Sequence, residues 1–414
     1  MLLKDLLFKN TNTRQILFKN TFWLVLGEIF AKGLLFVITI SIVRYLGAEM
    51  YGKYSFAVAF TSLFGVIVDF GLGTMLVQEL SLNDRKESSK LFGSILSLKL
   101  LLSIMTYSLI VLVSFFIHFP PDVQRLIYLG GIYTLIQSFV LIFPALFQAY
   151  ESMQFSFIVR TGSNILLSIF VLSAIFLKLS VISIFYAYIL TAFLMFVLSV
   201  FLVKKYLFNI IFGINKVVIK YLFKQSWPLF LGNVCITLYL SVDTTMLGFL
   251  RNYQEVGIYQ SAYKILYIFQ TVNLLHVALF PRMANLYNTN KPGLRKLLVF
   301  LITLSSIILI PTIIIIGFLR NQIIHLIYGS NFQGAGDVLI LLIIGGVISY
   351  FAGYFSSLLL IKRKQKQWAF AFLISFLTNI FVNYLMIPYF GPIGSGFGYI
   401  LGSGVSLLLL LRKT

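Results

Sequence analysis

Residues 297–318 read Leu-Leu-Val-Phe-Leu-Ile-Thr-Leu-Ser-Ser-Ile-Ile-Leu-Ile-Pro-Thr-Ile-Ile-Ile-Ile-Gly-Phe, with Arg295-Lys296 on one side and Arg320 on the other. As a helix this charge-free run is about 33 Å long at 1.5 Å per residue, which matches a hydrocarbon core of about 30 Å. Only a helix or a closed barrel satisfies its backbone polar groups there. The run is continuously apolar rather than alternating over about 10 residues, which excludes a barrel strand. Eleven further runs fall at about residues 21–43, 54–77, 93–117, 126–149, 157–177, 181–203, 228–250, 256–280, 338–361, 368–387 and 393–411. Twelve spans of about 20 residues use roughly 240 positions, and 59% of the 414 residues are apolar. With only 11% charged residues, the chain is no soluble enzyme. The expected fold is an all-α polytopic membrane protein with twelve transmembrane helices.

Charge placement gives the orientation. The net charge of +20, from 32 Lys and Arg against 12 Asp and Glu, would suggest nucleic acid in a soluble protein, but here the basic residues cluster between apolar runs. With the N-terminus inside, the inner connections hold 23 of them and the outer connections 6 (Arg44, Lys53, Arg125, Lys178, Arg251, Arg320). That asymmetry places both termini on the cytoplasmic side of the cell membrane. Trp23, Trp227 and Trp368 each open a span beside a basic cluster, as interfacial anchors do. Lysines and leucines interleave over 1–19, which predicts an amphipathic cytoplasmic segment on the inner leaflet. No small-residue cleavage motif precedes the first span, so this segment is read as retained. Cys235 is the lone cysteine, and His118, His276 and His325 are scattered; no disulfide and no metal site is expected.

The sequence repeats at half its length. Gly52-Lys-Tyr54-Ser-Phe-Ala57 opens span 2 and Gly257-Ile-Tyr259-Gln-Ser-Ala262 opens span 8, at an offset of 205. Trp23 and Trp227 are offset by 204, and Tyr188-Ile-Leu190 and Tyr399-Ile-Leu401 by 211. Such spacing predicts two six-helix lobes in parallel orientation, as in secondary transporters that handle substrate between their halves. The expected boundaries are 20–203 for the first lobe, 204–224 for a cytoplasmic linker and 225–414 for the second lobe.

Charged groups inside spans are costly, and they mark polar paths. Here they are Glu28 and Lys32 in span 1, Asp69 in span 2, Lys99 in span 3, Asp243 in span 7 and Lys264 in span 8. Glu28 and Lys32 are four residues apart, hence on one helix face. Asp243 and Lys264 lie at matching depths of roughly 10 to 12 Å below the outer boundary, which predicts an ion pair across spans 7 and 8. Lys99 is read as an interfacial lysine whose stem snorkels. Pro144, Pro281 and Pro311 fall inside or at the ends of spans, where they kink helices or loosen their ends. No catalytic motif is present: no G-x-S-x-G, phosphate-binding loop or H-E-x-x-H. An enzyme, such as a polytopic polymerase or acyltransferase, is therefore the less favoured class.

The span 1–2 segment Arg44-Tyr-Leu46-Gly47-Ala-Glu49-Met-Tyr-Gly52-Lys-Tyr54-Ser-Phe-Ala57 resembles the oligosaccharide flippases of the polysaccharide transporter family (Wzx type), relatives of the MATE exporters and lipid II flippases in the MOP superfamily. Asp69-Phe-Gly71-Leu-Gly73, Asp243 followed by Met246-Leu-Gly248, and Gly257-Ile-Tyr259-Gln-Ser-Ala262 fit the same pattern. So do Tyr328-Gly329-Ser-Asn-Phe332 and Asn383-Tyr-Leu-Met-Ile-Pro388-Tyr-Phe-Gly391-Pro-Ile-Gly394. The resemblance implies two lobes in a MATE-like V around a cavity that opens alternately to the two sides. It implies a polyprenyl-linked oligosaccharide as substrate, for surface polysaccharide assembly, with further assembly proteins as partners. Lys32, Lys264 and Arg44 would then bind the lipid phosphate. Glu28, Asp69 and Asp243 would couple transport to a proton or sodium gradient, with no other cofactor. The same fold also serves MATE-like drug or metabolite exporters, whose cavities would be acidic or aromatic, without these lysines.

Overall fold

A computed structural model describes residues 13–80, 85–213, 216–270 and 274–413. Every regular element among them is helical. The α-helices are α1 Thr13–Asp69, α2 Leu72–Leu80, α3 Arg85–Ile117, α4 Pro121–Val140, α5 Ile142–Ala149, α6 Met153–Phe176 and α7 Val181–Tyr206. They continue with α8 Lys216–Leu250, α9 Tyr253–Phe269, α10 Leu274–Thr289, α11 Lys291–Tyr328, α12 Ala335–Ile361, α13 Gln365–Phe390 and α14 Pro392–Lys413. A short 3₁₀ turn, Ser330–Phe332, links α11 to α12.

Nine helical stretches among the described residues are long and apolar enough to cross a membrane. The chain is a multi-pass membrane protein. The expected run at 21–43 and most of that at 54–77 share α1, which breaks at Gly47 with φ 70°, a backbone angle that glycine adopts without steric penalty; the end of the second run falls on α2. The runs at 228–250 and 256–280 fall on α8, α9 and α10, outside the nine. Pro144 sits in the first turn of α5, just after the break at Leu141, where its missing N–H has no intrahelical acceptor to lose. Pro311 lies inside α11.

The chain divides into two compact units: residues up to Ile42 with Ala57–Thr237, and Val43–Phe56 with Leu238–Thr414. The sequence-based boundary at 224/225 lies inside α8, which runs through it unbroken. The reason is packing within the first unit. The Phe70 ring stacks on Phe230 at 4.4 Å and meets Phe223 edge-on at 4.8 Å, and Tyr221 donates to Glu79 at 2.6 Å. Residues 216–224 are therefore helical, and Tyr221 and Phe223 pack within the first unit. The first unit's core gathers Phe92, Ile95, Phe143, Phe147 and Val203.

In the second unit, Val43–Phe56 packs against α8 and α9 through a reciprocal glycine contact. A side chain on Gly52 would strike the Tyr253 carbonyl, and one on Gly257 would strike the Ala48 carbonyl. Gly52 and Gly257 are repeat mates, and so are Ala48 and Tyr253, both pairs at the offset of 205. The two copies of the motif thus cross backbone to backbone at equivalent points, the close approach that small residues permit between membrane helices. Phe56 adds ring contacts to Phe249 at 5.6 Å and Tyr253 at 5.5 Å.

Candidate functional site

The second unit carries a buried polar network at Asp243 on α8. Tyr259 on α9 donates its hydroxyl to Asp243 Oδ2 at 2.7 Å, and Asn383 on α13 donates its amide to Asp243 Oδ1 at 2.5 Å. Asn383 also reaches Asn379 Oδ1 at 3.2 Å. Asp243, Tyr259, Asn379 and Asn383 are all buried. Asn379 Nδ2, Asn383 Oδ1 and Ser395 Oγ are buried without a hydrogen bond, an expensive condition in a low-dielectric interior. Beside them, Gln270 donates to Tyr399 at 2.9 Å, and Ser349 pairs with Ser403 at 2.8 Å. The chemistry here is a carboxylate with neutral oxygens and no thiolate or imidazole, a donor set suited to a hard cation or a proton. No cluster of three His, Cys, Asp or Glu exists among the described residues.

Lys264 does not join this network. It is partly buried on α9, and it makes no ion pair or hydrogen bond among the described residues. The expected bridge to Asp243 is therefore absent, and helix geometry gives the reason. Tyr259 faces Asp243, and five residues later Lys264 has rotated about 140° around α9. Depth alone predicted the pair; facing direction decides against it.

The first unit holds a second buried charge site. Asp69 is the last residue of α1, followed by Phe70 at φ 43° and Gly71 at φ 71°. Lys99 Nζ on α3 lies 3.6 Å from Asp69 Oδ1, and Asn233 on α8 donates to Asp69 Oδ2 at 3.2 Å. Lys99 is 0% exposed whereas the Asp69 side chain is 40% exposed. The reading of Lys99 as a snorkelling interfacial residue is thus corrected. Phe92, Ile95, Lys99, Leu102, Thr106 and Ile110 are all buried, a three-and-four spacing that turns one face of α3 inward. A carboxylate at a helix C-terminus meets unpaired carbonyls of its own sign, and the ammonium of Lys99 offsets that repulsion.

Arg44 donates Nε to the Ile327 carbonyl at 2.6 Å and Nη2 to the Leu326 carbonyl. It caps the C-terminal end of α11, where orphan carbonyls attract a cation, so its donors are engaged by backbone. The side chains of Glu28 and Lys32, and that of Trp23, lie outside the described residues. Trp227 is half exposed and tilts against Phe70, while Trp368 Nε1 donates to Ser356 at 2.6 Å. Sequence reasoning missed Asn379, Asn383 and Asn233 as site residues. The first two are an Asn pair spaced four apart inside an apolar run, which would have been a sufficient signal, since intramembrane amides seek partners.

Comparison with known proteins adds the following. The family described as polysaccharide biosynthesis protein matches residues 17–287, and the MatE family matches residues 228–385. A curated relative, the probable flippase AglR of Haloferax volcanii, is 25% identical over 195 residues. That match covers 45% of this chain and 40% of the relative, so the chain spans less than half the length of the curated relative it matches. Solved structures that share the fold include a flippase and a transporter. The lipid II flippase MurJ in an inward closed conformation aligns with TM-score 0.76 at 16% identity, over 94% of this chain and 86% of its own. An inward-facing multidrug resistance MATE family transporter of the MOP superfamily aligns with TM-score 0.73 at 15% identity, over 92% and 94%.

Proposed function

The chain belongs to the polysaccharide biosynthesis protein family, and from that premise we propose that it flips a polyprenyl-linked oligosaccharide across the cytoplasmic membrane by alternating access. Its termini are cytoplasmic, and the headgroup passes while the lipid tail stays in the bilayer. The observation that carries this reading is Lys264: a partly buried lysine on α9 with no anionic partner among the described residues is expensive, and a passing phosphate would supply the missing charge. The curated flippase relative and the fold shared with a lipid II flippase support it. A drug exporter for organic cations would have no use for a lone lysine there.

Asp243, with Asn379 and Asn383, is the proposed coupling site for a sodium ion or a proton. Its supports are the carboxylate's burial, the lack of any ion pair to it among the described residues, and the unbonded amide atoms of Asn379 and Asn383 in its network.

The test is flipping of a lipid-linked oligosaccharide in proteoliposomes, read by accessibility of the sugar to an impermeant reagent. Lys264→Ala is expected to slow flipping while leaving insertion intact, and Asp243→Asn to abolish the response to an imposed ion gradient. Lys32→Ala belongs in the same series. Flipping by Lys264→Ala at the parental rate would remove the phosphate role. Topology is tested by cysteine scanning in a Cys235→Ser background, where labelling of residue 216 from outside intact cells would overturn the orientation.

A further inference from the structure

The first unit contains an apolar cleft of about 430 Å³ that the transport reading does not use. Its walls are Leu96 and Leu100 on α3, Phe139 on α4, Phe193 and Phe196 on α7, and Phe212 from the connection after α7. The connection is strapped to α3 at two points. Ser89 donates to the Asn209 carbonyl, and Gly93 leaves room for the Ile211 carbonyl, which a side chain would strike. These two contacts set Phe212, itself 66% exposed, at the rim of the cleft. Phe139 and Phe196 meet at 5.9 Å and form the back wall.

A charged feature stands at a fixed distance from this cleft. Lys90 lies seven and eleven residues before Ser97 and Leu101, which also line it, so all three share one stripe of α3. Lys204 lies eleven residues after Phe193, on one stripe of α7. Both lysines are exposed, and neither has an acidic partner among the described residues. The axial rise from Lys90 to Leu101 and from Phe193 to Lys204 is roughly 16 Å in each case, close to the half-thickness of about 15 Å of a hydrocarbon core. Two cations at one end, and a phenylalanine-lined slot whose far residues lie about one leaflet's depth from them, are complementary to one kind of molecule.

We propose that this cleft is a binding site for an anionic diacyl phospholipid. One acyl chain lies between Phe139, Phe193, Phe196 and Phe212, and the phosphate sits between Lys90 and Lys204. Exposed apolar side chains on a membrane helix ordinarily meet a fluid solvent of tails; here a concave slot with aromatic walls holds one tail, and the lysines select its headgroup.

The experiment uses the full chain in mixed lipid–detergent micelles with a Phe212→Trp reporter, the parental tryptophan signal being subtracted. Phospholipids brominated on the acyl chain quench a tryptophan that they touch. The expected result is stronger quenching by brominated phosphatidylglycerol than by brominated phosphatidylcholine at equal mole fraction. The preference should fall by roughly fivefold for each lysine replaced, the equivalent of about 1 kcal/mol per basic residue at an anionic surface. Lys90→Gln with Lys204→Gln should therefore erase it. Equal quenching by the two lipids, or a preference that survives the double substitution, overturns the proposal. Competition by a polyprenyl phosphate but not by unbrominated phosphatidylglycerol also overturns it and assigns the cleft to the transported lipid. Should the reporter variant fail to fold, the thermal midpoint of the otherwise unaltered protein replaces it. Phosphatidylglycerol should then raise the midpoint more than phosphatidylcholine does, and the lysine pair should account for the difference.

Discussion

Replacing either partner of the Asp69–Lys99 pair tests the buried site of the first unit, and the structure predicts unequal consequences. In Asp69→Asn, Lys99 stays 0% exposed and loses the carboxylate 3.6 Å away. An ammonium left alone in such a place costs about 3 to 5 kcal/mol. In Lys99→Met, Asp69 keeps the amide of Asn233 at 3.2 Å and a side chain 40% exposed at the protein surface. A half-exposed carboxylate recovers most of its solvation, and its loss of a partner falls in the range of about 0 to 1 kcal/mol for exposed pairs. Methionine also fills the lysine's space without a charge. The double variant, with both charges gone, should be more stable than the sum of the single changes implies, by about 0.5 to 3 kcal/mol. Reversible unfolding in detergent, followed by circular dichroism for the parent, both single variants and the double, supplies all four corners. Lys99→Met as damaging as Asp69→Asn, or additivity within about 0.5 kcal/mol, would refute the claim that burial of the ammonium dominates the pair.

Other outcomes follow from the second unit. Asp243→Asn and Lys264→Met should be additive within about 0.3 to 0.5 kcal/mol, because Lys264 on α9 faces away from Asp243 on α8; a larger coupling measured in the same unfolding experiment would restore the ion pair. Gly257→Ala should destabilise by about 1 to 3 kcal/mol, since the added carbon meets a backbone carbonyl that has no rotamer to yield. Gly52→Ala should do the same, and a neutral thermal midpoint for either would show that the crossing is looser than described. Arg44→Ala should cost about 1.5 to 3 kcal/mol, the worth of hydrogen bonds to a charged donor, with faster amide exchange confined to the last turn of α11.

The membrane class and helical content were legible from runs such as 297–318, because hydrocarbon admits so few backbone solutions. Gly52 and Gly257, matched by spacing alone, meet reciprocal carbonyls in the folded chain. Depth along a helix was readable from residue counts, but the direction in which a charge faces was not. Lys99 looked close enough to a boundary to escape, and Lys264 deep enough to meet Asp243, yet rotation about the helix axis reverses both. The unit boundary was hidden for a different reason. Basic residues at 204–224 mark the membrane surface and carry no signal of where packing ends, while Phe223, Trp227 and Phe230 commit the start of α8 to Phe70.

Those packing commitments make the two units covalently interlaced. A chain severed near Gly213 would give a first fragment carrying residues 43–56, which belong to the core of the second unit. The second fragment would begin with residues 216–237, which belong to the core of the first. Neither product could complete its own interior, since each holds a piece of the other's. Halves synthesised from separate genes would thus be obliged to find one another, each supplying a piece of the other's core.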